Sequence, residues 1–158
     1  MPVLEWSDAL ALDMPAMDDT HQEFVVLLAA AGTAGDDTLP AAWQRLIDHT
    51  QDHFGREDAW MRATGFASKN CHTTQHGVVL QAMREGMELA GAQQLALIRE
   101  MARQLGPWFV QHAQTMDAAL ALHLRSVGFD LVSGQVLTPD ALPASAMTGC
   151  GSAACATA

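Results

Sequence analysis

The sequence predicts an all-α protein, an antiparallel up-and-down four-helix bundle with an extended N-terminal arm and a flexible C-terminal tail. Three observations predict it. Four segments repeat apolar residues at helical spacing. The connections between them are short, which favours antiparallel neighbours. Each of the four also carries histidine or acidic side chains on its apolar stripe, where an unsatisfied polar group is costly, so the stripes are expected to meet around one shared polar centre.

The elements follow in order. Residues 1–17 show no clear period and hold Trp6 and two prolines, an arm expected to lie across the bundle with Trp6 covering apolar surface. The first helix is expected near Asp18 or Asp19, either able to cap it, with His21, Phe24, Val25 and Leu28 on one stripe and an end before Gly32. GTAGDDTLP reads as a loop. The second helix should start just after Pro40 and stop near Thr64, with Gly65 as the terminator. Trp43, Ile47, Thr50, His53, Glu57 and Trp60 share its inner face. The third should begin near Ser68 and run towards Gly91, with His72, His76, Val79, Leu80, Met83 and Met87 inward. The fourth should begin near Gln93 and carry Leu95, Ile98, Leu105, Phe109 and His112, with a kink or short break at Gly106 and Pro107. The bundle is expected over residues 1–125 and a largely disordered extension over 126–158. Within that extension GFDLVSGQVL could form a small hairpin around Ser133 and Gly134.

Composition excludes several function classes. Eight Lys and Arg against 18 Asp and Glu give a net charge of −10, which lacks the basic footprint of a nucleic-acid binder and is repelled by an anionic membrane. The N-terminus has neither a basic n-region nor a sustained apolar run, so cytoplasmic residence is the expectation. Three cysteines do not make a disulfide framework. Cys71 reads as a plain thiol pointing away from the inner face, and the Cys150/Cys155 pair as unstructured thiols rather than a redox clip.

His53 and Glu57 are four apart, as are His72 and His76, so each pair stacks on one helix face within reach of one metal ion or two adjacent ones. His21 and His112 bring the first and fourth helices to the same centre. A single inward histidine is more often a hydrogen-bonded core residue, but five of them with inward carboxylates on four helices favour metal. His49 reads as flanking the stripe and solvated, and His123 as a surface residue. The methionines and Trp43 and Trp60 read as core filler.

The ordered set MDDTH, HFGRE, H-x3-H and WFVQHAQTMD, with a tryptophan-led opening EWSDALALDMPAMDDTH, resembles the hemerythrin family, in particular its single-domain bacterial members, over roughly residues 6–124. The resemblance implies a non-haem di-iron centre that binds dioxygen reversibly and is not an enzyme. His72, His76 and His112 would hold one iron, and His21 and His53 the other. Glu57 and Asp117 would bridge them beside an oxo or hydroxo group, leaving one position on the second iron for dioxygen. Phe54, Trp108 and Phe109 fall where the family lines its oxygen pocket. Imidazole suits iron, and two bridging carboxylates offset the charge of two cations. Asp117 is the exception to helix geometry: five residues from His112 is roughly 140° around a regular helix, so either the helix is locally widened there or Asp117 reaches in from the side. The competing functions are an oxygen or redox sensor and a di-iron enzyme acting on peroxide, nitric oxide or iron. Ferritin-like sites use Glu-x-x-His pairs, and the sequence contains none.

Overall fold

The computed structural model of the protein describes residues 3–66, 71–91 and 94–147. Its helices are α1 (Pro15–Thr33), α2 (Leu39–Ala63), α3 (Cys71–Gly91), α4 (Leu95–His112) and α5 (Ala118–Ser126), with a π-helical turn (Ala113–Asp117) joining the last two into one rod. The helices pack α1 on α2, α2 on α3, α3 on α4 and α4 back on α1. This closed ring of neighbours is the expected four-helix bundle. No helix among the described residues is long and apolar enough to cross a membrane.

Helix α1 begins at Pro15, three residues before the expected Asp18. Proline suits a first turn because its missing N–H would have no intrahelical partner. Asp18 still serves the helix start, but from inside it: its carboxylate accepts the backbone N–H of Leu12 at 2.7 Å and of Met14 at 3.2 Å. At the other end the helix runs through Gly32 to Thr33. Gly32 and Gly106 instead make room for the arm. A Cβ on Gly106 would lie 2.9 Å from the carbonyl oxygen of Val3, and Val3 also fills the space beside Gly32. Trp6 lies partly buried against the core, as expected of it.

Of the kink or short break expected at Gly106 and Pro107, the break does not occur: α4 passes through both. Proline removes one backbone hydrogen bond there, but Leu105 and Phe109 on either side are buried, and tertiary packing of an amphipathic face outweighs local propensity. Ser68, the expected cap of α3, lies outside the described residues. Cys71 opens α3 and is disulfide-bonded, which corrects its reading as a plain thiol. Spacing along a chain carries no information on which cysteines meet in the fold. Cys150 and Cys155 lie outside the described residues.

The core falls into two apolar clusters. One gathers Phe24, Leu28, Trp43, Leu46, Ile47, Met83, Ile98, Leu105 and Phe109. The other gathers Met14, Met17, Met61, Phe66, Leu120, Leu124, Val127 and Phe129. On α1, α2 and the fourth rod the polar positions sit between the two in the sequence: His21 between Met17 and Phe24, Glu57 between Ile47 and Met61, Asp117 between Phe109 and Leu120. A polar layer thus crosses the bundle between two dry ends. The Trp43 indole donates to the Met83 carbonyl at 2.9 Å, tying α2 to α3 within the first cluster.

The described residues after α5, 127–147, pack on the end of the bundle. Val127 and Phe129 belong to the second cluster, Phe129 and Val136 form an antiparallel bridge, and Met147 N–H donates to the Gly65 carbonyl at 2.8 Å. The turn around Ser133 and Gly134 matches the small hairpin read from the sequence. The expected tail from Thr138 onward begins instead with a 3-10 turn, Pro139–Ala141. Apolar residues spaced too sparsely for a helix were enough to anchor the segment, because the bundle end offers them a surface to cover.

Candidate metal centre

The seven sequence-predicted donors come together in the polar layer, and each is at most 2% exposed. His21 comes from α1, His53 and Glu57 from α2, His72 and His76 from α3, His112 from the end of α4, and Asp117 from the π-turn. The turn resolves the geometric exception. Ala118 N–H bonds the Ala113 carbonyl five residues back, and i→i+5 bonding places residues five apart on one face. The helix is locally widened, the first of the two possibilities read from the sequence.

The donors fall into two groups within 4.8 Å: Glu57, His72, His76, His112 and Asp117 in one, and His21, His53 and Glu57 in the other. The carboxylates face both. Glu57 Oε1 lies 2.9 Å from His53 Nε2 and 3.6 Å from His21 Nε2. Its Oε2 lies 3.5 Å from His72 Nε2 and 3.3 Å from His76 Nε2. Asp117 Oδ2 lies 3.3 Å from His21 Nε2, while Oδ1 lies 3.0 Å from His72 Nε2 and 3.1 Å from His112 Nε2. One oxygen of each carboxylate therefore turns to the three-imidazole half and the other to the two-imidazole half.

Without a metal ion this arrangement holds protons. Burial alone would lower the His21 and His72 pKa values, but Asp117 and Glu57 beside them outweigh it and raise the two to about 10 and about 9. His76 is likewise raised: burial opposes, and Asp58 and Glu57 prevail. Burial would raise Glu57, and the charge of His53 with contacts from His21 and His72 overcomes it and holds the group well below the usual range. Asp117 is depressed against both burial and the Glu57 charge, chiefly by His112. Even so, both nitrogens of His21 and His72, both oxygens of Asp117 and Glu57 Oε2 are buried without a properly directed hydrogen bond among the described residues. Buried polar atoms seldom stay unpaired. Lone pairs converging from imidazoles and carboxylates fit first-row cations, so the residues present suit the metal that their chemistry implies.

Aromatic rings wall the site. Phe54 stacks on His76 at 3.9 Å between centroids, Trp108 stacks on His112 at 4.7 Å, and Phe109 meets His21 edge-on at 5.2 Å. Of the sequence-predicted trio, Trp108 lies against the three-imidazole half and Phe109 against the other, while Phe54 touches both, stacked on His76 and tilted against His53 at 5.4 Å. Phe24, read only as core, stacks on Phe109 at 4.4 Å. His49 is not freely solvated as expected: it sits against His53 with its Nδ1 3.6 Å from Glu23. His123, outside both donor groups, is half-buried with its Nε2 3.1 Å from the Thr64 carbonyl.

Sequence reading missed Asp58 and Gln75. Asp58 Oδ1 lies 2.8 Å from His76 Nδ1, and Gln75 Oε1 lies 3.2 Å from His112 Nδ1. Each neighbours a donor in sequence but points elsewhere on its helix, and only the position of the adjacent helix reveals the contact.

Comparison with known proteins agrees with this geometry. The family described as Hemerythrin HHE cation binding domain matches residues 13–122. A protein of Ralstonia nicotianae named Bacteriohemerythrin is 38% identical over 130 residues, which cover 82% of this chain and 95% of that protein. No solved structure matches the chain significantly.

Proposed function

The chain belongs to the hemerythrin family, and from that premise we propose that it binds dioxygen reversibly at a pair of iron ions, for storage, delivery or buffering. His72, His76 and His112 would hold one ion and His21 and His53 the other, with Glu57 and Asp117 bridging them beside an oxo or hydroxo group. One observation carries the reading. Two carboxylates each turn one oxygen to each half of a centre whose halves differ by one imidazole. Such a pair of ions is unequal by construction, and the half with fewer protein donors has room for a small ligand.

When bound, the iron pair supplies the electrons that dioxygen binding requires. The chain's own contribution is to hold the pair and to keep it dry. Phe109 against His21, with Phe24 stacked behind it, gives the two-imidazole half an apolar wall. Excluding water and stray proton donors favours release of dioxygen over irreversible loss of its reduced form. Binding, and not turnover, is the proposed role, and a steady-state rate with peroxide or nitric oxide would argue for the enzyme reading.

The test is optical. Anaerobic ferrous protein exposed to air should develop a visible absorption band that disappears on deoxygenation, over repeated cycles, with two irons per chain by metal analysis. One-way bleaching, or one metal per chain, overturns the proposal. Cytoplasmic residence belongs to the same proposal. The Cys71 disulfide weighs against it, since disulfides persist in oxidising compartments: Cys71 found reduced in protein taken from cells supports cytoplasmic residence, and Cys71 found oxidised overturns it.

A further inference from the structure

We propose that Asp58 and Gln75 set the order of metal loading: by fixing His76 and His112 they make the three-imidazole position the one that fills first and holds its ion more tightly. This rests on reading the cluster as a two-ion centre, and is independent of what that centre does with dioxygen.

The argument starts from imidazole itself. A ring that offers Nε2 to a metal must carry its proton on Nδ1, and an acceptor fixed beside Nδ1 selects that tautomer and sets the ring plane. His76 has such an acceptor in the Asp58 carboxylate at 2.8 Å, and His112 has one in the Gln75 side-chain carbonyl at 3.2 Å. Their Nε2 atoms lie 3.2 Å apart within one donor group. Phe54 stacks on the first ring with an interplanar angle of 5°, and Trp108 on the second at 26°. Two of the three imidazoles in this half are therefore fixed in tautomer by a hydrogen bond and in plane by an aromatic face.

The other half is built differently. The Nδ1 atoms of His21 and His53 are buried and have no hydrogen-bond partner among the described residues. Their rings touch each other at 5.0 Å, Phe109 meets His21 edge-on and Phe54 lies tilted against His53 at 5.4 Å, contacts that limit tilt but select no tautomer. Loading an ion there must fix what Asp58 and Gln75 have already fixed on the opposite side. Asp58 adds a charge effect, since a carboxylate on the outer nitrogen makes His76 a stronger donor to a cation. Asp58 and Gln75 are positioning residues, acting on the metal only through the imidazoles they hold.

The experiment titrates the metal-free full-length chain with Co2+ under anaerobic conditions, followed by calorimetry and by the hyperfine-shifted exchangeable N–H signals of the imidazoles. The natural sequence should show two resolved steps, with the His76 and His112 N–H signals appearing at the first equivalent. Asp58→Ala should weaken the first step by roughly 10–100-fold, speed solvent exchange of the His76 signal, and leave the second step unchanged. Gln75→Ala should do the same to the His112 signal. Should Asp58→Ala lose its helical circular dichroism, Asp58→Asn, which keeps the size and an acceptor but removes the charge, decides together with Gln75→Ala. Equal weakening of both steps, or an unaffected first step, overturns the proposal. Two orderly steps in a protein that shows no oxygen-dependent band leave it standing and overturn only the oxygen reading, whereas a chain that takes up no cobalt overturns both.

Discussion

At the scale of single residues, the chemistry of the centre is a competition between protons and cations for the same lone pairs. In the metal-free protein His21 and His72 hold their protons to about 10 and about 9. A pKa raised above its unfolded value of 6.5 contributes stability that is complete below that value and is lost as pH rises through 9 to 10. Glu57 and Asp117 are depressed, so their contribution is complete above the ordinary carboxylate range and is lost as pH falls below it. The metal-free protein should therefore be most stable in mildly acidic solution. Metal binding reverses the slope, because imidazolium must deprotonate to ligate. Metal uptake at neutral pH should release protons, with apparent affinity rising as pH rises, and calorimetry in buffers of different ionisation enthalpy measures the number. Proton-neutral uptake would show that the cluster is not protonated as described. Removing a donor tests the same centre: Glu57→Ala should reduce metal content from the proposed two ions per chain to one or none by metal analysis, since both halves lose an oxygen. Unchanged content would remove Glu57 from the bridge.

The π-turn shows, at the scale of elements, what the sequence could and could not disclose. The i,i+4 pairs on α2 and α3 were legible because a regular helix converts spacing into direction. His112 was legible from the stripe of its helix, but Asp117 only through the family resemblance, since five-residue spacing leads to one face only where i→i+5 bonding replaces i→i+4, and no residue type marks that change. Gly106 was misread for a related reason: next to Pro107 it looks like a helix breaker, while its actual role is to admit the Val3 carbonyl, a contact made with a residue about a hundred positions away. Asp58 and Gln75 were invisible for want of the same cross-helix information. Two predictions belong at this scale. Deleting exposed Gln114 should convert the turn to regular helix and shift the Asp117 backbone by about one helical rise, 1.5 Å. Metal content should fall while the metal-free protein keeps its helical circular dichroism, and full metal retention would mean the turn is dispensable. Gly106→Ala places a Cβ against backbone, which cannot rotate away, and should cost about 1–3 kcal/mol. The arm should then become a site of limited proteolysis in a protein that still takes up metal; an arm as resistant as before would show that its contact with α4 gives.

Taken as a whole molecule, the bundle holds a charged layer between two dry clusters, and this decides how metal and fold depend on each other. Neither cluster contains a donor, so the metal-free chain should remain folded, unlike small domains whose only core is a metal site. Ions bound to the native state alone should still add about 4 kcal/mol when their free concentration is a thousand times Kd. The end of the bundle formed by the second cluster is completed by the segment after α5, where Val127 is fully buried and Phe129 nearly so. Phe129→Ala tests that dependence without touching a donor or a cysteine. Truncating a buried ring costs about 3–5 kcal/mol, and at roughly 2–4 °C per kcal/mol for a chain of this size the metal-free melting temperature should drop by about 6–20 °C. Met17, Met61 and Leu120 share the cluster with Phe129 and lie three or four residues from His21, Glu57 and Asp117 on their helices, so loosening them should also hasten metal loss to a chelator. A lower melting temperature with unchanged metal release would separate the two ends of the molecule, making the segment a stabiliser of the fold and no part of what keeps the ions in place.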